Sequence, residues 1–476
     1  MIEKKMIIGG EFVDKPEKIE VIYPYTREVI GRVPKGSEED VLKAIEKAKE
    51  GFRKNSSLTA YERYKILMKA AELLEKRAEE FAKTLVLEVG KTIREARTEV
   101  QRAIQTLIFS AEEAKRICGE TFPIDAHPNG KGKVGFFIRV PVGIVAAITP
   151  FNFPLNLSMH KVAPALAAGN AVILKPSERT PLTPLMLGEI LLEAGVPPEA
   201  ISVIPGYGDV GRAMTTHPEV RVVSFTGSRK VGDIISRQVG IKKLVLELGS
   251  NSAIILHEDG NLEKAVEKTV QGGYAIAGQV CISVQRVFVH EKLFDEFIAK
   301  LKERVSKLKV GDPMEEDTDL GPMIAPSEIE RIQEWISEAL QKGAKLEAGG
   351  LACGEYETTF SPTIVSLVPE DTKLFKEEAF APVVVVNPYK DIEEAIRAVN
   401  TSDYGLQVGV FTRDINVAWK CIREIEAGGV LINEGPTFRA DHMPYGGVKF
   451  SGIGREGPKF AIEDYTEIKT VIFDLA

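Results

Sequence analysis

The sequence predicts an α/β protein with a doubly wound parallel sheet and a second α/β domain. From residue 144 on, apolar runs of strand length alternate with amphipathic helical stretches, which is the signature of βαβ units. A second alternating set follows from about residue 253. The chain has 476 residues, enough for two or three domains.

The elements follow in chain order. Residues 7–13 read as a hairpin turning at Gly9-Gly10. Ser37 and Asp40 form a capping box for a helix carrying Val41, Ala44, Ile45 and Ala48. Residues 61–86 show helical spacing up to a stop at Gly90, and residues 92–116 predict a second long helix. Residues 122–126 and 134–140 are short strand candidates around the turn-rich stretch 127–132. They predict a protruding hairpin. The alternating tail, 465–473, is suited to pairing with another edge. Strands are expected at 144–149, 171–175, 201–204, 220–225 and 244–248, with a helix over 181–194 capped by Gly195. The second set has strands around Ala253, Val287 and Val383, and helices at 262–270, 293–308 and 328–341. The crevice between two such domains is the expected site.

Composition narrows the functional classes. The chain is 44% hydrophobic and 27% charged, close to the usual ~25% charged of a soluble globular protein. A net charge of -8 gives no electrostatic footprint for nucleic acid or a membrane surface, so neither is an expected partner. Four scattered cysteines, at 118, 281, 353 and 421, offer neither a disulfide framework nor zinc spacing, so no metal is expected and a reducing compartment is. The charged N-terminus has no apolar core of a secretion signal, and no stretch is long enough to span a membrane. The expected location is the cytoplasm.

Three stretches carry the chemistry. Cys281 lies in Gly278-Gln279-Val280-Cys281-Ile282-Ser283. A lone Cys usually just fills space. Upstream, however, Leu246-Glu247-Leu248-Gly249 supplies a carboxylate at a strand end, and Thr149-Pro150-Phe151-Asn152 supplies a carboxamide. A thiol, a base and an amide donor are what reaction at a carbonyl needs. For the nucleotide, Gly206-Tyr207-Gly208-Asp209-Val210-Gly211 matches the dinucleotide fingerprint but lacks an acid at the end of the next strand. It reads better as a tight strand-to-helix turn. Phe225-Thr226-Gly227-Ser228 is the stronger phosphate candidate, because a helix starting near Ser228 would aim free N–H groups at an anion. Taken alone, Lys175-Pro176-Ser177-Glu178 is a capped helix start.

Together these stretches resemble the aldehyde dehydrogenase superfamily, in its NAD(P)-dependent, lactaldehyde-dehydrogenase-like branch. The resemblance runs from about Ile7 to the C-terminus. It implies a Rossmann-type cofactor domain (residues 1–121 and 141–248), an α/β catalytic domain (249–443), and a small β oligomerisation arm (122–140 and 457–476) that joins a homodimer or homotetramer. By the resemblance, Cys281 attacks the aldehyde to form a thiohemiacetal. Asn152 and the Cys281 N–H hold the oxyanion. Oxidation gives a thioester, and Glu247 activates the water that hydrolyses it. Branches that acylate coenzyme A lack this glutamate.

Cofactor residues carried over are Thr149, Pro150, Lys175, Ser177, Glu178, Phe225, Gly227, Ser228 and Leu248, with Glu378 and Phe380 as a nicotinamide clamp. A carboxylate at Glu178 disfavours a 2′-phosphate and points to NAD over NADP, although Arg179 or Arg229 could compensate. Two positions depart from the family pattern: Ser250 and Ala381 stand where glycine is usual. The glycines of Pro444-Tyr445-Gly446-Gly447 through Gly452 are read as structural. Candidate pocket residues are Phe153, His160, Ile282 and Arg439. A polar wall suits a short hydroxyaldehyde such as lactaldehyde. Arg439 could instead hold the anion of succinic semialdehyde or glyceraldehyde 3-phosphate, or simply pair with Asp441 or a backbone carbonyl. A Cys–His hydrolase would need an oriented histidine, and none of the six histidines lies in a flanking motif. A non-catalytic binding protein would not need Cys281, Glu247, Asn152 and Lys175 together.

Overall fold

The computed structural model describes residues 1–354 and 356–475. Its largest sheet has eight strands. In spatial order they are Gly452–Ile453, Lys243–Glu247, Val220–Thr226, Ile144–Ile148, Ala171–Lys175, Ile201–Val203, Met6–Ile8 and Glu11–Val13. The five inner strands are parallel, and the strands at both edges run antiparallel. Ile144–Ile148 is buried along its whole length. This is why it reads as an unbroken apolar run rather than an alternation. The chain order reverses between Ile144–Ile148 and its neighbour Val220–Thr226. Ligands bind outside the carboxyl ends of strands at such a switch point. Here those ends lead into Thr149-Pro150 and Gly227-Ser228.

The second sheet has seven strands, in the order Lys345–Ala348, Thr363–Ser366, Val383–Tyr389, Arg286–His290, Ala253–Leu256, Gln407–Phe411, Gly429–Ile432. All are parallel except the first. Each large sheet is wrapped in its own apolar core. A three-stranded sheet stands apart from both. In it Thr466–Asp474 pairs antiparallel with Lys133–Pro141 along its whole length, and Glu120–Phe122 pairs on the other side. The tail is therefore an edge strand, and Ile468, Ile472 and Phe473 on it are exposed.

The structure departs from several expectations. The helix expected over 61–86 is two helices, Ala60–Lys76 and Ala78–Val89. Arg77, at φ −106° and ψ 14°, ends the first and opens the second, and its guanidinium binds Glu80 at 2.8 and 2.9 Å. The strand expected at 122–126 ends at Phe122, and Ile124–Ala126 is a single 3₁₀ turn. Pro123, which has no N–H to give a ladder, lies at the break. Ser177 caps no helix. Its Oγ accepts the Arg179 N–H at 3.2 Å, and the helix begins only at Leu182. The cap is the buried Glu88 carboxylate, which accepts the N–H groups of Leu182 and Thr183 at 2.8 and 3.0 Å. Gly208–Thr216 is a helix directly after its strand, as a tight-turn reading requires. No helix among the described residues is long and apolar enough to cross a membrane. No group of three or more His, Cys, Asp or Glu among them could hold a metal ion.

Candidate active site

A cleft of about 1160 Å³ opens at the carboxyl end of the first sheet. Its wall carries Asn152, Glu247 and Cys281 together with Gly227, Ser228 and Glu378. The strands deliver these groups. Asn152 follows Ile144–Ile148, Glu247 ends Lys243–Glu247, and Ser228 follows Val220–Thr226. Cys281 arrives differently, on the connection from Leu262–Tyr274 to Arg286–His290. That connection is strained. Ile276 (φ 49°, ψ 42°) and Ala277 (φ 53°, ψ 39°) are both left-handed, each at a cost of about 1–2 kcal/mol for an L-residue.

The Cys281 Sγ lies 3.0 Å from the Tyr445 hydroxyl. Burial pushes the thiol up to about 11, against the pull of that hydrogen bond. The Asn152 Nδ2 donates to the Gln279 carbonyl at 2.9 Å, and its Oδ1 accepts the Phe153 N–H at 3.1 Å. One N–H of this amide is therefore fixed, and an amide NH₂ has a second to offer. Glu247 is buried, and neither of its oxygens has a partner among the described residues. The backbone of Gly452 runs directly beside it: a Cβ there would sit 2.0 Å from the Leu246 carbonyl oxygen. Only glycine allows this approach.

Behind the site lies a buried ionic network. Glu456 accepts Lys161 Nζ at 2.8 Å and Arg439 Nη2 at 2.9 Å. Arg439 stacks on the Tyr445 ring at 3.6 Å from its centroid. Asp441 takes His160 Nε2 at 2.9 Å, Arg102 Nη2 at 2.8 Å and Asn156 Nδ2 at 3.1 Å.

The sequence model of the Aldehyde dehydrogenase family matches residues 12–471. The chain belongs to that family. It is 48% identical over 471 residues to a 3-sulfolactaldehyde dehydrogenase of Priestia aryabhattai, covering 99% of this chain and 98% of the relative. It is 42% identical over 474 residues to a lactaldehyde dehydrogenase of Methanococcus aeolicus, covering 98% and 99%. Among solved structures, the glyceraldehyde-3-phosphate dehydrogenase GapN of Methanocaldococcus jannaschii complexed with NADP superposes with a TM-score of 0.92. Its identity is 40%, with 97% of this chain and 100% of that one covered.

The electrostatics of this aldehyde dehydrogenase site follow from its burial. Burial raises Glu247 well above the usual carboxylate range, and the neighbouring Glu456 charge adds to it. Burial also pushes Glu456 up, but Lys161 and Arg439 outweigh it and hold Glu456 well below that range. Of the two carboxylates, Glu456 is the more readily ionised and Glu247 the less, because Lys161 and Arg439 contact Glu456. Glu378, whose carboxylate accepts the Ser250 N–H at 2.9 Å, is pushed up to about 7 by burial.

The expected site residues divide into two groups. Cys281, Glu247, Asn152, Pro150, Gly227, Ser228, Leu248, Glu378 and Phe380 share the cleft wall. Thr149, Lys175, Ser177 and Glu178 lie outside that wall. Thr149 Oγ1 bonds Ser158 Oγ at 3.3 Å. Lys175 Nζ donates to the Pro176 carbonyl at 3.2 Å, and burial lowers it. Phe225 does not face the cleft: its ring is buried beneath Gly227, whose Cβ would lie 2.5 Å from it.

The pocket residues change most. His160 is no open wall but is fully enclosed against Asp441. Arg439 pairs with Glu456, not with Asp441 or a backbone carbonyl. Ile282 is buried in the core. Phe153 faces a separate cavity of about 370 Å³ with Arg102, Glu95 and Ile276. Tyr445 is the functional candidate that sequence reasoning passed over. It was quoted among structural glycines, and its only signal was its place in that glycine-rich stretch.

Proposed function

We propose that this protein oxidises a short hydroxyaldehyde to the carboxylic acid with NAD or NADP. One observation carries the reading: Cys281, Asn152 and Glu247 line one cleft together with a helix start at Ser228 and a carboxylate at Glu378. The cleft fits a dinucleotide. Arg229–Gln238 begins at its wall, with the Ser228 Oγ accepting the Val231 N–H, and the other first-turn N–H groups would be free to hold an anion. Gly249 packs against the Glu378 carboxylate: a Cβ there would lie 2.3 Å from Glu378 Oε2, so only glycine lets the backbone run this close to it. Ser228 and Gly227 would hold the pyrophosphate, Lys175 and Glu178 the adenosine ribose, and Glu378 and Phe380 the nicotinamide end. Glu178 speaks for NAD over NADP.

The chain's own groups do the rest. Once the Cys281 thiol has lost its proton to solvent, the thiolate attacks the aldehyde carbon. The second Asn152 N–H and the Cys281 backbone N–H donate to the developing oxyanion, in a site that holds both donors in advance. When bound, the nicotinamide supplies the hydride acceptor that makes the thioester possible. Glu247, once ionised, takes a proton from the water that attacks the thioester carbonyl. The acid leaves and the Cys281 sulfur is restored.

Arg439 is engaged by Glu456, so a substrate anion would have to displace a buried carboxylate. This favours a neutral hydroxyaldehyde such as lactaldehyde. An anionic aldehyde is the second reading. It is supported by Arg102, which pairs with Asp441 at 2.8 Å but keeps 27% of its side chain exposed at the cavity beside Phe153, and by the 48% identity to a dehydrogenase of 3-sulfolactaldehyde. Reduced-cofactor formation with NAD and NADP against lactaldehyde, glycolaldehyde, succinic semialdehyde and glyceraldehyde 3-phosphate tests both readings, with Cys281→Ala alongside. Turnover without coenzyme A that is lost in the variant supports the mechanism. A preference for the charged aldehydes would replace the first substrate reading by the second. Residues 1–121 with 141–248 form the cofactor domain and 249–443 the catalytic domain in this reading. The strand Thr466–Asp474 joins copies into a homodimer or homotetramer in the cytoplasm.

A further inference from the structure

The strained turn before Cys281 is held from three sides. The Ile276 N–H donates to Glu95 Oε1 at 2.7 Å. Gln279 Nε2 donates to the Ile276 carbonyl at 3.0 Å, and Gln279 Oε1 accepts the Ile324 N–H at 2.9 Å. Gly278, at φ 70°, completes a run of three left-handed residues. Such a run persists only where its surroundings over-determine it. The carbonyl of Gln279 is also the group that fixes Asn152, and Cys281 follows two residues later.

Glu95 is the one charged member of this brace, and it comes from a different part of the chain. It stands in the first turn of Ile93–Ala114. There its other oxygen, Oε2, accepts the backbone N–H and the hydroxyl of Thr92, both at 2.9 Å. One carboxylate thus ties a helix N-terminus to the turn that carries the nucleophile. The aliphatic stem of Ile276 is buried below the tie.

We propose that Glu95 is a positioning residue: by holding the left-handed turn at 276–278 it sets where the Cys281 thiol and the Asn152 amide stand. The proposal rests on Cys281 being the nucleophile. Glu95 itself touches neither Cys281 nor Asn152. Its effect is transmitted through the Ile276 N–H and the Gln279 carbonyl.

Three variants separate this role from simple helix capping. Glu95→Ala removes both ties. Glu95→Asp withdraws the carboxylate by one methylene, breaking the reach to Ile276 while keeping a negative charge in the first helical turn. Thr92→Ala removes the cap and leaves the tie to Ile276. Each is measured for kcat and KM, for thermal midpoint, and for the rate at which iodoacetamide alkylates Cys281 in cofactor-free protein. Glu95→Ala and Glu95→Asp are expected to change kcat and alkylation about 10–100-fold, the scale of a misplaced reacting group, with KM within about threefold. Thr92→Ala is expected to lower the midpoint and leave kcat and alkylation within about twofold of the parent. The proposal is overturned if the folded Glu95→Asp protein alkylates and turns over like the parent. It is equally overturned if Thr92→Ala loses as much as Glu95→Asp. Should Glu95→Ala fail to fold, the Glu95→Asp and Thr92→Ala pair decides alone. Cys281→Ala in the same assay keeps the two readings apart: turnover there would remove the nucleophile reading, whatever Glu95 does.

Discussion

At the scale of single residues, the site is a set of charges that burial has sorted. Glu247 and Glu456 are two buried carboxylates, and the cations Lys161 and Arg439 contact only Glu456. Glu247 therefore holds a proton more tightly than an ordinary carboxylate, and it must be ionised to act as a base. We expect kcat to rise with pH on its acid side, through a pKa above the ordinary carboxylate range. Glu456→Gln removes the like charge and frees Lys161 and Arg439 to favour the Glu247 anion. The acid limb should therefore move to lower pH, by about 1–3 units. A pH–rate profile of the two proteins checks this, and an unmoved limb would detach Glu456 from the base. Asn152→Ala should lower turnover by ~10²–10³, the usual cost of one oxyanion donor, with the fold intact. Near-normal turnover would remove Asn152 from the mechanism.

Glu378 makes a prediction about stability. Its folded value of about 7 lies above the ordinary 4.5, so between those values the folded state holds a proton that the unfolded chain has released. Its contribution is therefore complete below about 4.5 and is lost as pH rises through about 7. Glu378→Gln keeps an oxygen for the Ser250 N–H and cannot ionise. Its thermal midpoint should exceed the parent's at pH 8 and match it at pH 5. A difference that is the same at both pH values would contradict the assignment.

Residues also mark what the sequence could and could not disclose. Cys281, Glu247 and Asn152 were legible because each stands in a short motif of its own. The network was not, because its contacts join Lys161 to Glu456 and His160 to Asp441 across 295 and 281 positions. No local pattern encodes such a pairing. Arg439 shows the consequence. Read alone it could hold a substrate anion or pair with Asp441 or a backbone carbonyl, and only the fold brings Glu456 to meet it.

At the scale of elements, the glycine-rich return past Glu247 is the most constrained piece. Gly452 pairs with Glu247 in register, and its missing Cβ lets the backbone pass the Leu246 carbonyl. Gly452→Ala should cost about 1–3 kcal/mol, as overpacking does, and lower kcat by displacing the base. Denaturant unfolding and turnover of the variant check both. The inner strands of the first sheet were legible because burial on both faces leaves unbroken apolar runs. Lys345–Ala348 and Thr363–Ser366 were not foreseen. The first is a largely exposed edge strand, Lys345 to Ala348 reading Lys-Leu-Glu-Ala, and the second is only four residues long, with polar ends. The break at Arg77 was hidden for the opposite reason: helical spacing continues across it, and only the backbone turns.

At the scale of the whole molecule, the two large sheets each have their own core, and the cleft gathers loops from both. The third sheet contributes nothing to the cleft wall. Its exposed edge carries Ile468, Ile472 and Phe473, all more than half exposed in the single chain. A free edge with apolar residues invites pairing. Ile472→Lys should lower the solution mass measured by light scattering, with each chain still folded. An unchanged mass would place the interface elsewhere.

The covalent role of Cys281 and the hydrolytic role of Glu247 meet in one measurement, the time course of reduced-cofactor formation by Glu247→Gln. The mechanism predicts a burst equal to the concentration of active sites, followed by a stall, with the intact mass increased by one acyl group on Cys281. Steady turnover at the parent rate, or a stall with no acyl group on Cys281, would contradict it.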